Sequence, residues 1–284
     1  MSRAAGAPRV RVERDGAVLV LTLDRAAKRN ALDDRTVAEL RAALRDAEGD
    51  ASLRVILLRG EGPDFCAGAD LAQLERIAEE ADPVANMRDA EGLGRLLIEM
   101  RRHPLPIIAA VHGHAWAGGA GLATACDVVL ATPDASFAYP EIRLGFVPAM
   151  VMTLLRRAVG EKIAFELVTA GESIDAGRAA ELGIATRVLH AEDFDDAARA
   201  YARTLAERSA SAVALTKRLL YGMDGLSFEE SILRGAEVNA MARMTPDTRA
   251  GVRAFLEKGK AKAEGRASAR RPGKPKGAEK GPRA

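Results

Sequence analysis

The sequence predicts an α/β fold with a strand-rich first half and a helical second half. Three observations carry that reading. VLVLTL at 18–23 and RVILLR at 54–59 are apolar runs of strand length, the pattern of buried strands. A helix-length segment separates them, so strand, helix and strand follow in the order of a right-handed crossover within a mainly parallel sheet. Beyond about residue 150 the apolar spacing becomes helical.

Each element has its own signal. Asp33 or Asp34 caps the first helix, which carries Val37, Leu40 and Leu44 on one face. Residues 107–111 (IIAAV) and 126–131 (CDVVLA) supply two further strands, joined by a Gly-rich turn and a short helix, and 186–190 (TRVLH) supplies a last short one. Gly160-Glu161 opens a helix with Ile163, Phe165, Leu167 and Val168. Asp175 caps a short helix that Gly183 ends. Segments 194–208, 211–221 and 227–243 are amphipathic by spacing, and Thr245-Pro246 places a cap residue before a proline suited to a first turn.

At 284 residues the chain can hold one large domain or two small ones. Aromatic residues are only 4% of a chain that is 48% apolar, so Ala, Leu, Val and Ile must fill the core. Cys66 and Cys126 offer no disulfide framework and no CxxC metal spacing, which favours a reducing, cytoplasmic setting. The first ten residues lack the apolar stretch of a secretory signal. No apolar run approaches the roughly 18–20 residues that cross a bilayer, so no membrane contact is expected. From Lys258 onward ten Lys or Arg stand against two Glu, and the rest of the chain is mildly acidic. Residues 259–284 show no apolar periodicity and are expected to be a disordered basic tail. Its lack of aromatics argues against base stacking, so nucleic acid is not an expected partner.

Two turns invite chemistry. Asp64-Phe65-Cys66-Ala67-Gly68-Ala69-Asp70-Leu71 follows the second strand, and a helix beginning near Asp70 would present free N–H groups. Gly113-His114-Ala115-Trp116-Ala117-Gly118-Gly119-Ala120-Gly121 lies between another strand and helix. Small residues let backbone approach a ligand closely, or simply permit tight packing; spacing alone leaves both open. Two such donors converging on one oxygen make an oxyanion hole, where each donor contributes about 2.7–4 kcal/mol to a transition state.

FCAGADL resembles the first oxyanion-hole motif of the enoyl-coenzyme A hydratase/isomerase, or crotonase, superfamily; AAVHGHAWAGGAGLATACDVVLAT resembles its second, and SFAYPEIRLGFVPA the active-site block that follows. LTLDRAAKRNAL is similar to the N-terminal signature, and GEKIAFELVTAGESIDAGRAAELGIATRVL to the later helices, so the resemblance runs from about residue 10 to 258. It implies a crotonase-like ββα superhelix over 1–195 and a helical oligomerisation region over 196–258, with trimers pairing into hexamers. Its substrate is an acyl-coenzyme A thioester, and no further cofactor is implied because coenzyme A arrives with the substrate. It places the N–H groups of Ala69 and Gly118 at the thioester oxygen, and Ala67, Ala69, Asp70, Leu71 and Ala72 along the pantetheine arm. Lys28 and Arg29 fall where the coenzyme phosphates sit, although a solvated turn explains them equally well.

Relatives that hydrate with two glutamates carry one in each of the last two blocks. The later position is Glu141; the earlier is Gly121. Glu141 among Phe137, Ala138, Ile142 and Leu144 reads as a general acid–base with a raised pKa, the competing reading being a surface group or a partner of Arg143. One carboxylate suffices to move a double bond, so an isomerase stands beside the hydratase, and so does a catalytically weak acyl-coenzyme A-binding partner. GGAGL and PEIRLGFVPAMV look like the methylglutaconyl- and carboxygeranoyl-coenzyme A hydratase-like branch, which pulls back toward hydration. His112 and His114 lack a third metal ligand, and Cys66 lacks an adjacent base. Met87, Leu93, Leu97, Met150 and Val151 are candidate pocket walls, though core packing accounts for each as well.

Overall fold

Alternate residues of the central strands pack on opposite faces, and this places the two halves of the core. The computed structural model describes residues 7–80, 82–190 and 192–269. The chain opens with β1 (Val10–Asp15) and β2 (Val18–Leu23), followed by α1 (Asp34–Glu48), β3 (Val55–Gly60), α2 (Leu71–Glu80), α3 (Pro83–Arg102), β4 (Ile107–Val111), β5 (His114–Trp116), α4 (Gly118–Ala125), β6 (Val128–Ala131) and β7 (Ser136–Ala138). Then come α5 (Ala149–Val159), α6 (Glu161–Ala170), β8 (Ser173–Asp175), α7 (Ala176–Leu182), β9 (Arg187–Val188), α8 (Phe194–Ala206), α9 (Ala210–Gly222), α10 (Phe228–Arg243) and α11 (Pro246–Ala269).

The larger sheet has the order β1-β2-β3-β4-β6-β9. Only β1–β2 is antiparallel; every later neighbour is parallel. Leu19, Leu21, Ile56, Leu58, Ile107 and Ala109 face α1, α3 and α4, whose Leu40, Leu44, Leu96, Met100 and Leu122 complete one core. Val18, Val20, Val55, Leu57 and Ile108 face α8 through Ala198 and Ala202. Alanines on α8 let it lie close to the sheet. A second sheet, β5-β7-β8, stands apart.

The caps follow their chemistry. The Asp33 carboxylate accepts from Thr36 N–H and that of Asp175 from Arg178 N–H, while Gly183 ends α7 in the left-handed conformation. Where the sequence places a strand over 126–131, β6 begins only at Val128. The physical reason is Asp127, whose carboxylate accepts from Ile107 N–H (2.7 Å), Lys217 Nζ (2.7 Å) and the Tyr221 hydroxyl (2.8 Å). Lys217 also donates to the carbonyls of Met100 and Leu105, so α9 is tied to α3 and the sheet. The helix α11 runs to Ala269, past the Gly259 boundary where the tail is expected, since Ala, Lys, Glu and Arg favour helix. Residues 270–284 of that tail lie outside the described residues. Among the described residues no helix is long and apolar enough to cross a membrane.

Lys217 and Asp127 side chains are only 6% and 12% exposed, and removing one partner of such a pair leaves an uncompensated charge. Lys217→Met is expected to cost about 3–5 kcal/mol, read as a lower urea midpoint with unchanged slope.

Candidate active site

Three stretches of backbone lock the two turns together. From the second turn, the carbonyls of His112 and His114 accept from Phe65 and Cys66 N–H, and Trp116 N–H donates to the Cys66 carbonyl, all at 2.9–3.0 Å. From the N-terminal signature, Leu32 N–H donates to Gly68 (2.7 Å), Asp70 N–H to Leu32 and Ala67 N–H to Arg29 (both 2.9 Å). Gly119 stands so close that a Cβ there would lie 2.1 Å from the Cys66 carbonyl oxygen. Gly68 has φ +98°, and a Cβ on it would meet Ala117 Cβ at 2.8 Å and Gly118 N at 3.3 Å. These close approaches, not flexibility, are why the positions are glycine.

The consequence is a juxtaposition of two donors. A Cβ on Gly118 would sit 3.8 Å from Ala69 N. Ala117, the residue before α4, has φ 49° and ψ −122°, strain of about 1–3 kcal/mol for a residue with a Cβ. Its N–H is held by the Ala138 carbonyl at 2.8 Å, and the strained turn leaves Gly118 N–H as the first free donor of α4. Among the described residues no acceptor takes the N–H of Ala69 or of Gly118. Ala138 also leads the chain, three residues later, to Glu141 in the short 3₁₀ turn Pro140–Leu144.

Glu141 is half-buried, and its Oε2 is buried without a hydrogen-bond partner. Burial holds its pKa above the ordinary carboxylate value. The apolar surroundings differ from expectation in part: Phe137 and Ala138 are buried, whereas Ile142 and Leu144 face outward. Arg143 forms no ion pair with Glu141 among the described residues. Burial pushes the Cys66 thiol up to about 12, which keeps it protonated and unreactive.

The remaining sequence candidates divide. Lys28, Arg29, Ala69, Leu71 and Ala72 are exposed around the first turn, Ala67 is half-buried, and Arg29 lies 3.6 Å from Asp64. The Asp70 carboxylate points inward to Arg25 (2.7 Å) and is held below its usual value by that bond. His112 and His114 are both spent on the preceding loop, at the Gly62 carbonyl (2.8 Å) and Asp64 (2.5 Å). Among the described residues no three metal-type side chains are grouped for an ion. Of the pocket candidates, Leu93 lines a small cavity against Ala69, Leu97 and Met150 line a larger one, and Met87 is exposed.

Sequence reasoning passes over Arg25 and Asn30, and names Val151 only as a candidate pocket wall. Arg25 is 9% exposed, reaches Asp70 and Asp33, and donates to the Ala31 carbonyl, so it braces the first turn. Asn30 does the same through the carbonyls of Glu61 and Asp64. An LDRAAKRN string alone gives no sign of which of its cations is buried. Val151 from α5 fills the space beside Gly121: a Cβ there would lie 2.6 Å from its Cγ2. The site therefore excludes a side chain at the position where a second carboxylate would stand.

A family model described as enoyl-CoA hydratase/isomerase matches residues 13–266. A Thermus thermophilus protein provisionally named an enoyl-CoA hydratase is 40% identical over 249 residues, covering 88% of this chain and 98% of its own. The 2,3-dehydroadipyl-CoA hydratase of Escherichia coli is 34% identical over 248 residues, 87% and 94% of the two chains. The crystal structure of a Mycobacterium smegmatis enoyl-CoA hydratase matches with a TM-score of 0.83 at 33% identity, covering 89% of this chain and 97% of that one.

Gly121→Glu is expected to lower the thermal midpoint strongly, since even added methylenes in a filled core cost about 1–3 kcal/mol. Gly121→Glu with Val151→Gly should recover part of that loss. Equal midpoints for the single and double variants would show that Val151 is not what excludes the side chain.

Proposed function

The chain belongs to the enoyl-CoA hydratase/isomerase family, and from that premise we propose that it is a hydratase adding water across an enoyl-CoA double bond through a single carboxylate. The observation that carries the reading is the buried, unpartnered Oε2 of Glu141 on the segment whose Ala138 carbonyl holds the donor turn. The N–H groups of Ala69 and Gly118 receive the thioester oxygen, which gains negative charge as the β-carbon is attacked. The Glu141 carboxylate takes one proton from water while the water oxygen bonds to the β-carbon. It then returns that proton to the α-carbon as the enolate collapses, so one group serves both transfers and ends ionised.

The filled space at Gly121 also favours a second reading, double-bond isomerisation, which removes a proton at one carbon and returns it at another through the same Glu141. In either case coenzyme A arrives with the substrate and no separate cofactor is required. Lys28 and Arg29, exposed beside the first turn, suit the coenzyme phosphates. Ala67, Leu71 and Ala72 flank the pantetheine arm, and Asp70 serves by holding Arg25.

A homotrimer or hexamer is part of this proposal. Phe228, Ile232, Leu233, Met244 and Phe255 on α10–α11, and Leu144, Val147 and Phe165 near the site, are all exposed, more apolar surface than an isolated chain usually leaves to water. Both cysteines are free and buried, which fits a cytoplasmic setting.

With crotonyl- and 3-methylglutaconyl-CoA, the wild-type protein is expected to remove the conjugated enoyl absorbance. Glu141→Gln should lower kcat by about 10²–10⁴. Because burial raises the Glu141 pKa, its base form is lost below that pKa. So kcat/KM should climb with pH through a limb lying above the ordinary carboxylate range, a limb absent from the glutamine variant. Conversion of 3-enoyl to 2-enoyl thioester without any hydration would select the isomerase instead.

A further inference from the structure

A cleft of about 430 Å³ lies between α3 and α5 and is closed at one end by α9. Leu97, Ile98, Met150 and Leu154 give it apolar walls. Its near end is marked by Met150, whose neighbour Val151 packs on Gly121, and by Gly94, where a Cβ would meet the Met150 sulfur at 3.2 Å. Val151 thus stands between the near end of the cleft and Gly121, the position of the missing carboxylate.

The far end is cationic. Arg101 and Arg102 occupy the last turn of α3 and Arg157 the last turn of α5, and all three line the cleft. Arg157 is neutralised by Asp224 at 2.7 Å. The Arg101 guanidinium lies 3.7 Å above the ring of Tyr221, and the Tyr221 hydroxyl is directed away, to Asp127. Among the described residues no carboxylate lies within ion-pair distance of Arg101 or Arg102. Two uncompensated guanidinium groups thus border an apolar cavity, a pairing that suits a ligand with an apolar stem and an anionic end. Met150 and Arg157 are seven residues apart on one helix, about 10 Å. Helical side chains lean toward the N-terminus, which brings the Arg157 head back toward the Met150 end.

We propose that this cleft receives the far end of the acyl group, and that Arg101 and Arg102 select thioesters bearing a second carboxylate there. This deepens the hydratase reading and rests on it for the acyl-coenzyme A ester itself.

The test uses saturated ligands, so that binding is separated from turnover. The full-length protein is titrated calorimetrically with adipoyl-CoA and hexanoyl-CoA, which share a six-carbon acyl chain and differ in the terminal carboxylate. The expected result is adipoyl-CoA at least tenfold tighter. Arg101→Gln and Arg102→Gln should each reduce that ratio, and together bring it to about one. Equal affinities in the wild type, or a ratio that survives both substitutions, would overturn the proposal. Preference for adipoyl-CoA without hydration of either crotonyl-CoA or 2,3-dehydroadipyl-CoA would support the subsite while removing the hydratase reading. Turnover without preference would do the opposite.

Discussion

The Cys66 carbonyl accepts a single bond from Trp116 N–H, and much of the site depends on how closely the chain packs around it. Gly119 must lie against that oxygen, so α4 can begin only where the second turn has already docked on the first. Gly68, pressed on Ala117 and Gly118, then sets the spacing between the two free donors. Neither donor involves a side chain, and what fixes them is steric exclusion on a parallel sheet whose buried strands leave no room for an alternative path. Arg25 and Asn30 hold the third partner, the N-terminal signature, by donating to the carbonyls of Ala31, Glu61 and Asp64 and to the carboxylates of Asp33 and Asp70. The strained Ala117 is tolerated because its N–H and carbonyl are both used, by Ala138 and Gly121.

The proposed single-carboxylate chemistry rests on volume as much as on sequence. Gly121 alone would suggest an open space that water or substrate fills. Val151 closes it, which leaves Glu141 as the one acid–base group in the proposed mechanism. In the proposed hydration a lone carboxylate acts as both base and acid, which requires a pKa near enough to the working pH for it to take a proton from water and return it. The raised pKa of Glu141 meets that requirement, and its cause is burial.

Much of the architecture is legible in the residues because it rests on local signals. The runs 18–23 and 107–111 are strands with the expected bounds, and Asp33, Asp175 and Gly183 cap as their chemistry dictates. β1 and the three-residue strands β5, β7 and β8 are not legible, since their pairing is decided by tertiary contact rather than by periodicity. The order of the motifs brings Ala69, Gly118 and Glu141 to notice. The burial of Arg25, the conformation of Ala117 and the seat of Val151 on Gly121 are through-space facts between segments far apart in the chain. In the basic run after Lys258, whose composition suggests no order, α11 extends as far as Ala269, and the rest of the run lies outside the described residues.

The central claim is that the Ala69 and Gly118 N–H groups converge on one carbonyl oxygen. An isotope-edited infrared difference spectrum of bound hexanoyl-CoA, labelled with ¹³C at the thioester carbon, reads that interaction directly. Two backbone donors should move the carbonyl stretch to lower frequency than in water and narrow it. A band at or above its aqueous position would mean that the oxygen lies elsewhere, and the account built on the interlocked turns would not stand.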